Sequence, residues 1–336
     1  MRREVGTWAL AVTTLAVSLV TAMPAVAEVT IQGRGILFYT DDVGIFSATR
    51  RLTRDGDPTQ PAIDSRLTNQ GSDVVLEPDL ALSTSRGNRW GTLDLSAKGQ
   101  GFIFTDHDQF NHGTLRLEAL QAFSQETKLR LRFYYAPDLF LGNNESRQPG
   151  STGLAKESVS SYIWSARLER NLTPEVEVRL LTRYGLRRYN QAFEERNTDF
   201  WTVGPHFEWR VAPGVKLGLG YHYERGLADG RNQPQLKDDV SYVNNYGSAD
   251  VEVELTKRFS FAAAFHYERN NWSSGIPGDE RQGAHENIFQ GDAVVYYRVA
   301  DKARVGLGVQ RSSRKESFDS SAVKNTNVGI GIEAAF

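Results

Sequence analysis

The chain has no cysteine, which excludes disulfide bridges and thiolate metal sites. Beyond residue 28 it also lacks any apolar run approaching the ~20 residues that a membrane-spanning helix requires. Charge of one sign is missing as well: 39 Lys+Arg against 41 Asp+Glu give a net charge of −2, and with it no bulk attraction to nucleic acid. No Gly-x-Ser-x-Gly segment occurs, and the Gly-x-Gly pieces, such as Gly306-Leu307-Gly308, fall in strand-like stretches where they cannot cradle a phosphate. Two classes survive these absences, a secreted soluble β protein and a membrane β-barrel. The mean hydropathy of −0.45 does not separate them, because only every second residue of a barrel strand meets lipid.

What is present begins with Arg2 and Arg3, an apolar stretch from Trp8 to Val20, and Ala25-Val26-Ala27. This charged, apolar, small-residue order is that of a secretory signal peptide, so residues 1–27 are expected to be cleaved and 28–336 to form one barrel.

From Val29 onward apolar and polar residues alternate in segments of ten or more. In the last segment Val328, Ile330, Ile332, Ala334 and Phe336 make one face, with Asn327, Gly329, Gly331, Glu333 and Ala335 on the other. The pattern predicts fourteen strands, at 29–40, 73–85, 89–104, 110–124, 127–141, 158–171, 174–190, 199–211, 215–228, 242–255, 259–273, 286–299, 303–316 and 326–336. Short turns alternate with mostly long loops, so the long loops gather at one end and both termini lie at the other.

This all-β pattern resembles that of bacterial outer-membrane β-barrels, antiparallel and up-and-down, over the whole mature length. Phe336, closing an alternating strand, resembles the signal read by the barrel-assembly machinery. The sixteen strands and the Pro-Glu-Phe-Gly loop of trimeric porins are absent, so the smaller monomeric channels are the nearer comparison. The resemblance implies an outer-membrane location in a diderm bacterium, contact with outer-membrane lipid and lipopolysaccharide, and no cofactor.

Two faces then follow from alternation. Trp201, Val203, Phe207, Trp209 and Val211 share the expected lipid face, as do Leu217, Leu219, Tyr221 and Tyr223, with the aromatic rings suited to interfacial belts. The lumen face collects His206, His222 and His266, each two residues before a Glu. Alternation by itself produces the twice-written His-Tyr-Glu-Arg, Tyr facing lipid and His and Glu facing water. A hairpin pairing Val211 with Val215 makes His206 and His222 diagonal neighbours, where a metal competes with plain hydration as the reading; no metal site is assigned.

The lumen charges divide into two walls. One holds Arg116, Lys128, Arg130, Arg132, Arg167, Arg179, Arg183 and Arg187, tempered by Glu118, Glu169 and Glu177. The other holds Glu208, Glu224, Asp250, Glu252, Glu254, Glu268 and Asp292, with Arg210 and Lys216 toward the turn end. Opposed rings of charge filter polar solutes, whereas cross-strand ion pairs that close the lumen serve stability alone. Glycines 218, 220, 306, 308, 329 and 331, with Ala262 and Ala264, are expected to leave part of the wall thinly covered and so favour a pore. Asp106, His107, Asp108 and His112 and the Ser321–Lys324 pattern offer a superficial case for a hydrolase, but loops rich in such residues are ordinarily just solvated. The sequence thus predicts a non-enzymatic channel for small hydrophilic solutes, with a non-conducting barrel acting in surface binding or envelope assembly as the alternative.

Overall fold

The computed structural model describes residues 29–44, 70–151 and 153–335. The expected signal peptide and assembly residue Phe336 lie outside these. Fourteen strands are formed: β1 (Val29–Thr40), β2 (Asp73–Asn88), β3 (Gly91–Phe104), β4 (His112–Ala122), β5 (Thr127–Glu145), β6 (Leu154–Asn171), β7 (Val176–Tyr189), β8 (Thr198–Ala212), β9 (Val215–Ala228), β10 (Tyr242–Glu254), β11 (Phe259–Trp272), β12 (His285–Ala300), β13 (Ala303–Glu316) and β14 (Val323–Ala335). Each pairs antiparallel with its sequence neighbours, and β1 closes on β14 from Gln32↔Ala335 to Thr40↔Asn327. Closure removes the exposed sheet edges that an open fourteen-stranded sheet would present.

The expected strands therefore form, with one difference. β5 and β6 run past the rest of the wall into the segment read from sequence as a 142–157 loop. Register shifts at Ala136/Leu139 and Phe140/Gly142 break the period-two pattern there, which is why alternation missed the extension.

The outer face is apolar over most of its height. Leu219 is 58 % exposed, Phe265 51 % and Ile330 52 %, and such a continuous apolar surface needs a hydrocarbon environment. Phe133, Trp164, Tyr184 and Trp201 lie in one register row across β5–β8, with Phe133 and Trp164 ring centroids 5.4 Å apart. Trp201 and Trp209 stand exposed on the outer face of β8, as the sequence predicts.

The connections differ sharply between the two ends. At the turn end Gly214, with φ 75°, reverses the chain after Pro213 in a conformation that side chains disfavour. At the loop end the short 3-10 turns Asp108–Phe110 and Gln191–Arg196 place Phe110 and Phe193 in small apolar cores, and a third turn, Asp229–Asn232, follows Ala228 of another. One core joins Val43, Val75, Phe104 and Phe110; a second joins Leu139, Val159, Tyr189 and Phe193; a third joins Val240, Tyr242, Trp272 and Ala284.

Candidate functional site: the charged lumen

In the turn-end half the inward face of β4–β8 is a lattice of ion pairs. Arg130 reaches both Glu118 and Glu169, the latter at 2.8 Å, while Arg132 donates to Glu118 at 3.1 Å and Arg167 to Glu169 at 2.9 Å. Arg179 contacts Glu177 and pairs with Glu208 at 2.8 Å. The lattice continues into the acidic wall through Lys216, 3.8 Å from Glu208 and 2.9 Å from Glu252. These side chains keep access to solvent: Glu252 is 47 % exposed, Lys216 36 % and Arg179 28 %. Asp250, Glu252 and Glu254 occupy alternate positions at the turn end of β10.

The loop-end half is different. Arg183 and Arg187 approach Glu224 at 3.9 and 3.7 Å, and Glu224 also accepts from Thr202 and from the Tyr242 hydroxyl, both at 2.5 Å. Asn244 donates to Glu268 at 2.6 Å. Arg183, Arg187, Glu224 and Glu268 are all buried. The two expected walls thus do not extend the full height of the barrel: here the opposite charges meet within a few strands and are sealed beneath aromatic side chains.

The three histidines run along one inward ladder. His206 lies opposite Gly220, so His222 is its diagonal neighbour, and the two Nε2 atoms are 2.5 Å apart, one ring donating and the other accepting. Tyr246 stacks between His222 and His266 and bonds His266 Nδ1 at 2.6 Å, while His266 Nε2 lies 3.7 Å from Asp292. Two Zn–N bonds of ~2.0–2.1 Å would hold the His206 and His222 nitrogens farther apart than this contact. Among the described residues no three His, Cys, Asp or Glu side chains converge on an ion position.

The glycine expectation is corrected. A Cβ on Gly218 would lie 2.2 Å from the Asp250 carboxylate, on Gly220 2.7 Å from the His206 ring, and on Gly306 2.9 Å from Tyr296. Gly308 faces Val294, Gly329 faces Phe38 and Gly331 faces Ile36. These glycines leave hollows that neighbouring side chains lie down into, so they thicken the lining instead of baring the wall.

Over the loop end four connections lock together, which alternation could not reveal because the contacts join distant loops. Arg196 donates to both Glu157 oxygens at 3.0 Å and to Asp238 at 2.7 Å, and Arg281 donates to the other Asp238 oxygen at 2.9 Å. Arg147 contacts the Lys237 carbonyl and lies 3.5 Å from Glu280. Burial pushes the Asp238 carboxyl up, but Arg196 and Arg281 outweigh it and hold it below the usual carboxylate range.

The Asp/His loop serves this same end. Asp73 accepts from the backbone and hydroxyl of Thr105, from the Asp106 and His107 amides, and lies 3.0 Å from His107 Nδ1. His112 stacks on Phe102 with centroids 4.4 Å apart. Both histidines are thereby engaged in shaping the loop.

No family model matches the chain, and no curated protein matches it in sequence. In structure it is similar to the outer membrane channel DcaP of Acinetobacter baumannii, at 9 % identity, covering 92 % of this chain and 97 % of that one with a TM-score of 0.52. It is also similar to an anion-selective porin from Comamonas acidovorans, at 11 % identity, 92 % and 100 % coverage and a TM-score of 0.47. A bacterial polysaccharide outer membrane secretin aligns at 9 % identity, 91 % and 98 % coverage and a TM-score of 0.48. The likeness is one of fold: a closed antiparallel barrel of the outer-membrane kind.

Proposed function

We propose that this chain is an outer-membrane porin-like channel through which small hydrophilic solutes diffuse passively, without cofactor or catalysis, and that it works as a monomer. The observation that carries the reading is the turn-end half of the inward face, where Arg179, Lys216 and Glu252 keep 28 %, 36 % and 47 % of their exposure inside a wall whose outer face is apolar. A barrel stabilised only by its lining has no need to keep Glu252 and Lys216 partly exposed. Fold likeness to a named outer-membrane channel supports the same reading. By the usual arrangement of such barrels the turn end faces the periplasm and the interlocked loops face outward.

The two arcs give the channel a direction of preference across its lumen, basic near Arg130, Arg132 and Arg167 and acidic near Asp250, Glu252 and Glu254. Solute efflux from liposomes containing the purified protein tests this. Neutralising the three arginines should slow anionic solutes relative to cationic ones, and neutralising the three acids should do the reverse. Equal rates with protein-free liposomes would reject the channel.

A second reading, a non-conducting barrel that presents its loops to partners, is favoured by the buried Glu157–Arg196–Asp238–Arg281 cluster. The same efflux assay separates the two.

A further inference from the structure

Where the wet turn-end half meets the packed loop end, β11–β14 carry two adjacent rows of polar side chains. Phe289 and Val295 stand exposed on the apolar outer face of β12, so alternation turns Gln290 and Asp292 to the lumen. Register places His266, Gln290 and Ser312 in one row, and Asp292, Gln310 and Asn327 in the next row toward the turns. Directly opposed side chains on neighbouring strands lie ~5 Å apart at Cβ and diagonal ones ~7–8 Å, so these six form one patch.

Hydrogen bonding within the patch is incomplete. Gln290 is 1 % exposed, yet neither its Oε1 nor its Nε2 finds a hydrogen-bond partner among the described residues. The Ser312 hydroxyl and Asn327 Oδ1, both buried, are also unmet, although the Asn327 amide donates to Gln310 at 2.8 Å. Asp292 keeps 23 % of its side-chain exposure toward the wet half, and its Oδ1 has only His266 Nε2, 3.7 Å away, beside it. Asp250, exposed on β10, lies in the same row as Asp292 with Ala264 between them. Lys216 turns to Glu208 and Glu252, and no Lys or Arg among the described residues forms an ion pair with Asp250 or Asp292.

Buried donors and acceptors are ordinarily matched, and one left unmet costs more than a made hydrogen bond returns. The chemistry of the patch selects its occupant. Asp292 Oδ1, Gln290 Oε1 and Asn327 Oδ1 require donors, whereas Gln290 Nε2 requires an acceptor. An ammonium group only donates; a carboxylate only accepts, and it meets Asp250 and Asp292 with like charge. A hydroxyl does both. We propose that this patch binds uncharged polyhydroxylated solutes, the sugars and sugar alcohols, whose neighbouring hydroxyls donate to Asp292 and Gln290 Oε1 and accept from Gln290 Nε2. The site rests on the channel reading given above and adds to it a preferred solute class, which enters from the wet half past Asp292.

Influx of radiolabelled mannitol and of triethylene glycol into liposomes containing the purified full chain tests the site. Both solutes are uncharged and slender, but the glycol carries ethers, which cannot donate, where mannitol carries inner hydroxyls. Mannitol influx should saturate with concentration and, at low concentration, exceed glycol influx about tenfold. Gln290→Leu combined with Ser312→Ala should abolish the saturation and bring the two rates together. Ser312→Ala alone and Asp292→Asn alone should each lower the ratio, which keeps the test available if the double variant fails to fold. Linear mannitol influx at the glycol rate would mean that the patch holds ordered water only. That result, or saturation retained in the double variant, overturns the site while the channel stands. Influx of neither solute above that into protein-free liposomes, with the barrel folded in the membrane, overturns the channel and the site together.

Discussion

Along β7, Arg179 keeps 28 % of its side-chain exposure while Arg183, four residues nearer the loops, keeps 3 %. Along β9 a step of six residues leads from Lys216 at 36 % to a buried His222. One strand thus serves two environments, a wet charged vestibule at the turn end and a packed, hydrogen-bonded cap at the loop end. The difference lies in what stands beside each charge. Toward the turns β11 offers Ser260, Ala262 and Ala264 inward; toward the loops it offers His266, Glu268 and Trp272, the last packed in an apolar core with Val240, Tyr242 and Ala284. An arginine with small neighbours stays hydrated, and one beneath aromatic rings must find its carboxylate in the wall.

The cap should be the more fragile half to charge removal. Replacing Arg196 with Ala leaves Glu157 and Asp238, 1 % and 0 % exposed, without their shared cation, and should cost about 3–5 kcal/mol, seen as earlier thermal unfolding and faster proteolysis between residues 190 and 241. Acid probes the same cluster. Asp238 titrates below its ordinary value of 3.8 when folded, so its contribution is complete above pH 3.8 and is lost as pH falls through the folded value. Protection of the loops from an acid-active protease should fall below that pH, and Asp238→Asn should flatten this dependence. Packing separates the halves next. Gly329→Ala drives a Cβ to 2.4 Å from the Phe38 ring and should cost about 1–3 kcal/mol, whereas at Gly218 the Asp250 carboxylate can swing into the vestibule and the same change should stay within about 0.5 kcal/mol by denaturant titration. The smallest effect belongs to Arg179→Gln: about 0–1 kcal/mol of stability, because the pair is partly hydrated, but a measurable shift of ion preference toward cations.

The barrel was legible because period-two alternation records directly which side of a closed sheet each residue faces. Strand number and strand order followed from it. What alternation cannot carry is contact between segments remote in sequence. Arg196, Asp238 and Arg281 sit in three different loops, and no periodic signal links them. The glycines misled for a related reason: a missing side chain reads as space in one strand, whereas Phe38 or Tyr296 on the next strand occupies that space. The bulges that prolong β5 and β6 hid in a similar way, since each extra residue inverts the pattern beyond it.

Planar-bilayer recordings of the purified protein, alone and as Arg196→Ala, decide whether a charged vestibule leads through a loop-end constriction. A channel of that design gives discrete unit conductance in the unaltered protein and a larger unit conductance in Arg196→Ala. Absence of reproducible unit conductance in both proteins, with the barrel folded in the membrane, would contradict it.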